Sequence, residues 1–279
     1  MKKFDDFWKR VVASTFIVAL FILSLYFSTD PVGRIAFFLF VALSGVFASY
    51  EYMTIVSSKG FIINRYIVIL GMAFGLFAFF YEAQYSDSSV LALLLFYLYL
   101  LATFLFHFQQ TESSIAQIAI SCFPILYLAI PLGLSFYILF NHPEGKWWIA
   151  YLILVTKMAD VGGYFGGKLF GRNKLTSSIS PNKTYEGFFS ALLFALVSSS
   201  LISIYATSFI LLPLVYAILL GLILGVIGQF GDLCESLLKR DAKVKDSSSL
   251  PGIGGVLDLL DSILLNIPVI YFYLSWFDL

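Results

Sequence analysis

Positions 210–230 read Ile210-Leu-Leu-Pro213-Leu-Val-Tyr-Ala-Ile-Leu-Leu-Gly-Leu-Ile-Leu-Gly-Val-Ile-Gly-Gln-Phe230, without one charged residue. A helix of roughly 20 such residues crosses the hydrocarbon core of a bilayer. Directly after it come Gly231-Asp232-Leu-Cys-Glu235-Ser236-Leu-Leu-Lys239-Arg240. An apolar span that runs straight into acids and bases sets both the fold class and the place to look for chemistry.

The same pattern extends outward in both directions. Apolar runs separated by short polar breaks place nine spans at 11–28, 35–56, 66–81, 90–108, 115–140, 147–167, 187–206, 210–230 and 256–277. The expected fold is an all-α polytopic membrane protein of about nine transmembrane helices. The third span is short, and Pro124 and Pro131 should kink the fifth. The first follows Lys2, Lys3, Lys9 and Arg10 like a signal peptide. Bulky Tyr26 and Phe27 stand where small residues would mark cleavage, so it reads as an uncleaved span.

Composition agrees. Of 279 residues, 60% are hydrophobic and 12% charged, against about 25% charged in a soluble domain; mean hydropathy is +0.91. A soluble enzyme, a disordered tail and a nucleic-acid binder are excluded. The 17 basic and 17 acidic residues cancel, so no net field draws a polyanion. Cys122 and Cys234 have neither disulfide-framework nor zinc-ligand spacing.

With the N-terminus in the cytoplasm, fourteen of the 17 Lys and Arg residues lie inside, and Arg34 and Lys146 outside. Lys157 falls within a span. That bias fixes the expected orientation, with the polar segments 168–183 and 239–245 both cytoplasmic. The chain divides into a scaffold of five spans (1–145) and a half of four spans with two polar loops (146–279). In the scaffold, Glu51 and His107 are the only ionisable groups near spans. Both sit toward cytoplasmic ends and read as structural polar residues whose tips snorkel to the interface.

The second half carries Lys157, Asp160, Asp232, Glu235, Asp258 and Asp261 in or beside spans, where each charge is costly and marks function by default. Asp258 and Asp261 share a helix face just after Pro251-Gly252-Ile253-Gly254-Gly255. Glycines at a helix N-terminus admit a phosphate, and acids beside a phosphate need a cation between them. Oxygen ligands of this kind suit Mg²⁺; the alternative is that both acids compensate the helix dipole. Asp232, Glu235, Ser236 and Lys239 form one stripe, with Asp232 a third candidate metal ligand. An Asp232–Lys239 structural pair is the alternative. Lys239, Arg240, Lys243 and Lys245 fit either phosphate binding or anchoring to anionic lipid. In Ser180-Pro181-Asn182-Lys183-Thr184-Tyr185-Glu186-Gly187, Lys183 suits a phosphate, while Thr184 and Glu186 could cap the next helix. Lys157 and Asp160 should pair. Gly162, Gly163, Gly166 and Gly167 read as close helix packing.

These residues resemble a known family. Ser236-x-x-Lys239-Arg240, Lys245-Asp246, Leu250-Pro251, Gly254-Gly255, Leu257-Asp258 and Asp261 are similar to the signature of bacterial phosphatidate cytidylyltransferases. Asp160-x-Gly-Gly-Tyr164-Phe165-x-Gly167 and Ser180-Pro181-x-Lys183-Thr184-x-Glu186-Gly187 match two further stretches. Two positions depart: Ile253 and Leu259 stand where the family usually has histidine and arginine. The resemblance implies transfer of a cytidylyl group from CTP to phosphatidic acid, giving CDP-diacylglycerol and pyrophosphate. It implies Mg²⁺, a possible second cation, a homodimer, and an inner-membrane site facing the cytoplasm. It further implies metal ligation by Asp232 and Asp258, with Asp261 close by. Lys183, Lys239 and Arg240 would then hold phosphates, and Asp160, Glu186, Lys245 and Asp246 would line the cavity, beside Ser180, Thr184, Gly254 and Gly255. A CTP-dependent polyprenol or lipid kinase and an ion-coupled transporter are the alternative readings. The acids cluster at cytoplasmic ends, not around a midplane cavity, which disfavours the transporter.

The charge bias makes the orientation testable. In a background lacking Cys122 and Cys234, Asn173→Cys and Ser248→Cys should each resist an impermeant thiol reagent added to intact cells. Ready labelling of either would reverse the assignment.

Overall fold

The computed structural model describes residues 18–85, 90–108, 112–244 and 255–277. Among them the chain is helical apart from one small hairpin. Among the described residues seven helical runs are long and apolar enough to cross a membrane, Ser114–Asn141 and Val256–Phe277 each counted as one run, so the protein is an all-α, multi-pass membrane protein. The chain divides into two compact units: residues 1–141 with 242–259, and residues 142–241 with 260–279.

The first unit begins with α1, described over residues 18–26. It continues with α2 (Pro31–Ser57), α3 (Arg65–Tyr85), α4 (Val90–His107), α5 (Ser114–Pro124) and α6 (Ile130–Asn141). The expected kink in the fifth span is a single π turn, Ile125–Ala129, between Pro124 and Pro131. Two prolines seven positions apart each remove an N–H, and the widened turn absorbs the misfit without ending the run. The core is aromatic: Phe37, Phe80 and Phe140 all lie against Phe136, with ring centroids 5.7–6.2 Å apart.

Three ionisable groups in this unit depart from the sequence reading. Glu51 and His107 do not snorkel; they are 0% and 4% exposed. The third helix is also longer than its apolar run. It extends to Tyr85 and buries Glu82, whose carboxylate accepts the N–H groups of Leu91 and Ala92 and the Tyr137 hydroxyl. Those bonds make burial of the acid tolerable.

The second unit contains α7 (Gly145–Phe170), strands β1 (Lys174–Thr176) and β2 (Ser180–Thr184), α8 (Tyr185–Tyr205) and α9 (Leu214–Asp241). It ends with the last turn of α10 (Val256–Leu264) and α11 (Asn266–Phe277). α7 has the length of a span but carries Lys157 and Asp160. The polar stretch expected as a loop folds into the antiparallel hairpin, pairing Lys174 with Thr184 and Thr176 with Ser180. α9 starts at Leu214, not at residue 210, because a residue before proline disfavours helix and Pro213 stands there. The last apolar run is two helices. Pro268 has no N–H for the Leu264 carbonyl, and the break falls at Leu265. The Asn266 amide spans the break, donating to Thr156 Oγ1 at 2.9 Å and the Leu224 carbonyl at 3.1 Å.

The glycine series on α7 does pack closely. A Cβ on Gly162 would meet the Phe194 ring and one on Gly166 the Ser190 side chain. From the facing helix, a Cβ on Gly187 would lie 2.9 Å from the Gly163 carbonyl and 3.1 Å from Gly167 Cα. These are backbone atoms, which cannot swing aside. Gly187→Ala should therefore destabilise by about 1–3 kcal/mol, read as a lowered thermal midpoint in detergent. An unchanged midpoint would refute the close contact.

Candidate active site

In the second unit, helical spacing puts Asp232 and Glu235 on one face of α9. Gly231 lets α10 come close: a Cβ there would overlap the Asp261 carbonyl oxygen. The carboxylates of Asp232, Glu235 and Asp261 consequently gather, with one oxygen of each within 4.8 Å of the others. Glu235 is fully buried and Asp261 is 6% exposed.

Three ionised carboxylates at that spacing repel by roughly 3–4 kcal/mol per pair at an effective dielectric of about 20. Cations offset this. Lys183, delivered by β2, lies 2.8 Å from Asp232 and donates to the Gln229 carbonyl at 3.0 Å. Lys239 pairs with Glu235. Asp232 and Lys239 thus each have a different partner from the one expected for a structural pair. Among the described residues Lys183 and Lys239 are paired with two of these carboxylates, and the all-oxygen donor set suits a hard divalent cation. Asp232, Glu235 and Asp261 are the residues that could hold one.

A second polar group adjoins it through Ser262. Lys157 pairs with Asp160 at 3.1 Å, as expected. It also donates to Ser262 Oγ at 3.1 Å; that hydroxyl lies 3.2 Å from Asp160, and the Ser262 N–H donates to Asp261. The hairpin carrying Lys183 is anchored at both ends. Arg240 Nε donates to the Ile179 carbonyl at 3.1 Å. The Glu186 carboxylate accepts from the Arg172 and Asn173 N–H groups and from Asn173 Nδ2. Thr184 caps α8, accepting from the Gly187 N–H at 3.1 Å. Thr184 thus caps α8, the alternative kept open for it, whereas Glu186 holds the Arg172–Asn173 segment rather than capping α8. Ser180 is half-buried within β2.

In the first unit, Asp258 reaches back to the Gly255 N–H at 3.1 Å, as a third-position acid in a capping box does. Glu51 completes that cap, accepting from the Val256 N–H at 3.0 Å and the Leu257 N–H at 2.9 Å. Lys245, Asp246, Ile253 and Gly254 lie outside the described residues. The sequence reading omitted Glu235 as a ligand, although its spacing from Asp232 is that of Asp261 from Asp258. It also missed Ser262 and the role of Glu51, for which a buried acid in the apolar half was the available signal.

Residues 8–277 match the cytidylyltransferase family. The chain belongs to that family. It is 33% identical to a phosphatidate cytidylyltransferase of Chlamydia pneumoniae over 97% of this chain and 92% of the relative. Shorter matches are more similar. Phosphatidate cytidylyltransferases of Chlamydia muridarum and Bacillus subtilis are each 42% identical, over 56% and 55% of this chain. Those two alignments span about half of each relative, 54% and 58%. The nearly full-length match and the family assignment both take in α9 and α10, which carry the three gathered carboxylates.

The close approach at Gly231 can be tested in this family member directly. Gly231→Ala should spread the carboxylates and weaken Mn²⁺ binding, followed by electron paramagnetic resonance, by about ten-fold. Gly221→Ala, on the same helix but against α8, should lower stability without changing Mn²⁺ affinity. Equal Mn²⁺ affinity in both variants would dismiss Gly231 as the spacer of the site.

Proposed function

We propose that this chain transfers the cytidylyl group of CTP to phosphatidic acid, releasing pyrophosphate and leaving CDP-diacylglycerol in a bacterial inner membrane. The observation that carries the reading is the Asp232–Glu235–Asp261 cluster with Lys183 and Lys239 against it, in a chain of this family. The basic-residue bias supports a site facing the cytoplasm, where CTP arrives, while the lipid enters from the bilayer. The homodimer rests on the family resemblance alone.

Phosphatidate presents an anionic oxygen at neutral pH, so the chain need supply no serine, cysteine or histidine nucleophile. Phosphoryl transfer depends chiefly on positioning and charge neutralisation. The three carboxylates would hold Mg²⁺, which when bound offsets phosphate charge and polarises the phosphorus centre. Asp232 serves two partners in this scheme. It pairs with the Lys183 ammonium group and would also be a ligand of the cation, and Lys183 would then be the group that meets a substrate phosphate. Lys239 and Arg240 flank the same helix end and would offset charge on the departing pyrophosphate. The Lys157–Asp160–Ser262 group holds α7 against α10 and keeps Asp261 directed at the cluster.

Membranes containing the protein, given CTP labelled at the α-phosphate, should place that label in lipid. A kinase would instead transfer label only from the γ-phosphate. Asp232→Asn and Asp261→Asn should each reduce turnover by about 100-fold or more while the protein still inserts and purifies. High Mg²⁺ should partly rescue Asp232→Asn but not Lys183→Met. Asp258→Asn keeps an oxygen for Gly255; full activity in that variant would assign Asp258 to capping alone. Retention of full turnover by Asp232→Asn would sink the metal-centred reading.

A further inference from the structure

Glu51 stands far in sequence from every motif that points to the site, yet it is fully buried and both its oxygens accept from one helix end. Oε1 accepts from Val256 at 3.0 Å and Oε2 from Leu257 at 2.9 Å. These are two of the four N–H groups that a helix leaves without internal partners at its start. The helix is α10, which is nine residues long and carries Asp258 in its first turn and Asp261 one turn later.

A helix this short has few internal bonds to set its direction, because most of its N–H groups belong to the uncapped first turn. A bidentate carboxylate supplies two bonds of fixed geometry and a charge that complements the helix dipole. Asp258 contributes the third bond by reaching back to Gly255. The first turn of α10 is therefore gripped from outside by Glu51 and from within by Asp258. Any tilt or rotation of that turn carries Asp261 with it along the helix.

Glu82 provides the internal comparison. It uses the same device on α4, accepting from Leu91 and Ala92, and is 1% exposed. α4 carries none of the candidate site residues. Two buried acids thus perform the same structural task, and only one of them grips a helix with site carboxylates.

We infer that Glu51 is a positioning residue for the reaction: it fixes the start of α10 so that Asp261 meets Asp232 and Glu235 in the geometry the cation needs. The inference rests on the proposed cytidylyl transfer for its kinetic consequence and on the carboxylate cluster alone for its metal consequence. Glutamine is the informative replacement. It has nearly the same shape, but it offers one oxygen and one NH₂ to two N–H donors, so one N–H of the turn faces another donor.

The test uses full-length protein in nanodiscs and the variants Glu51→Gln, Glu51→Asp and Glu82→Gln. Thermal midpoint, kcat and KM for CTP, and Mn²⁺ affinity by electron paramagnetic resonance are measured on each. Both glutamine variants should lower the midpoint. Only Glu51→Gln should lower kcat, by about 100-fold for a misplacement near 1 Å, with KM for CTP changed less than about three-fold. It alone should weaken Mn²⁺ binding, by about ten-fold. Glu51→Asp, which keeps the charge, should recover part of both losses. If Glu51→Gln folds and retains wild-type kcat and Mn²⁺ affinity, or if Glu82→Gln loses them equally, the inference is overturned. An unmodified protein that binds Mn²⁺ but makes no CDP-lipid removes the proposed function. The Glu51→Gln effect on Mn²⁺ then decides the inference alone. An unmodified protein that does neither overturns both.

Discussion

A carboxylate withdrawn from water must find N–H groups, hydroxyls or cations inside the protein, and that requirement organises this molecule. Removing one from solvent costs several kcal/mol unless it is paired. Glu51 and Glu82 meet the requirement with helix N-termini, Glu235 with Lys239, and Asp261 with the Ser262 backbone. The Glu51 and Glu82 bonds each tie one helix to the start of another, while the other two act within α9 and α10. A bilayer gives the chain a weak drive for helix–helix association, since lipid tails are as apolar as leucine. Such polar ties, with the glycine contacts of α7 and α8, supply the specificity that hydrophobic burial supplies in water.

The site follows from the same requirement. Asp232, Glu235 and Asp261 are brought together because Gly231 has no side chain to hold α9 and α10 apart. Lys183 marks the same point from the other sign. It is held on Asp232 by a hairpin that Arg240 and Glu186 secure.

Much of this was legible in the sequence because membrane spans are written in long apolar runs and intramembrane charges stand out against them. The Lys157–Asp160 pair followed from helical spacing, and the packing role of Gly162 through Gly167 from their small size. The kink between Pro124 and Pro131 followed from missing N–H groups. What escaped depended on partners distant in sequence. Spacing could not separate Glu235 from a surface stripe without knowing which helix Gly231 admits. Glu82 lies just past the third apolar run, outside the span bounds that hydropathy sets. Nothing local to Glu51 announces that its two oxygens fit Val256 and Leu257. The hairpin at Lys174–Thr184 was hidden because its strands are polar and short, and cross-strand pairing leaves no apolar alternation there.

The 205-residue separation between Glu51 and Val256 also has a meaning in time. At a synthesis rate of about 5–20 residues per second, Glu51 is made roughly 10–40 s before the helix end it will bind. Through that interval α2 carries an acid whose final partners do not yet exist. The first unit is therefore completed by a segment made well after its helices, residues 242–259. Biogenesis of this protein includes a waiting period in which an unfinished scaffold must be kept from substitute partners in the membrane.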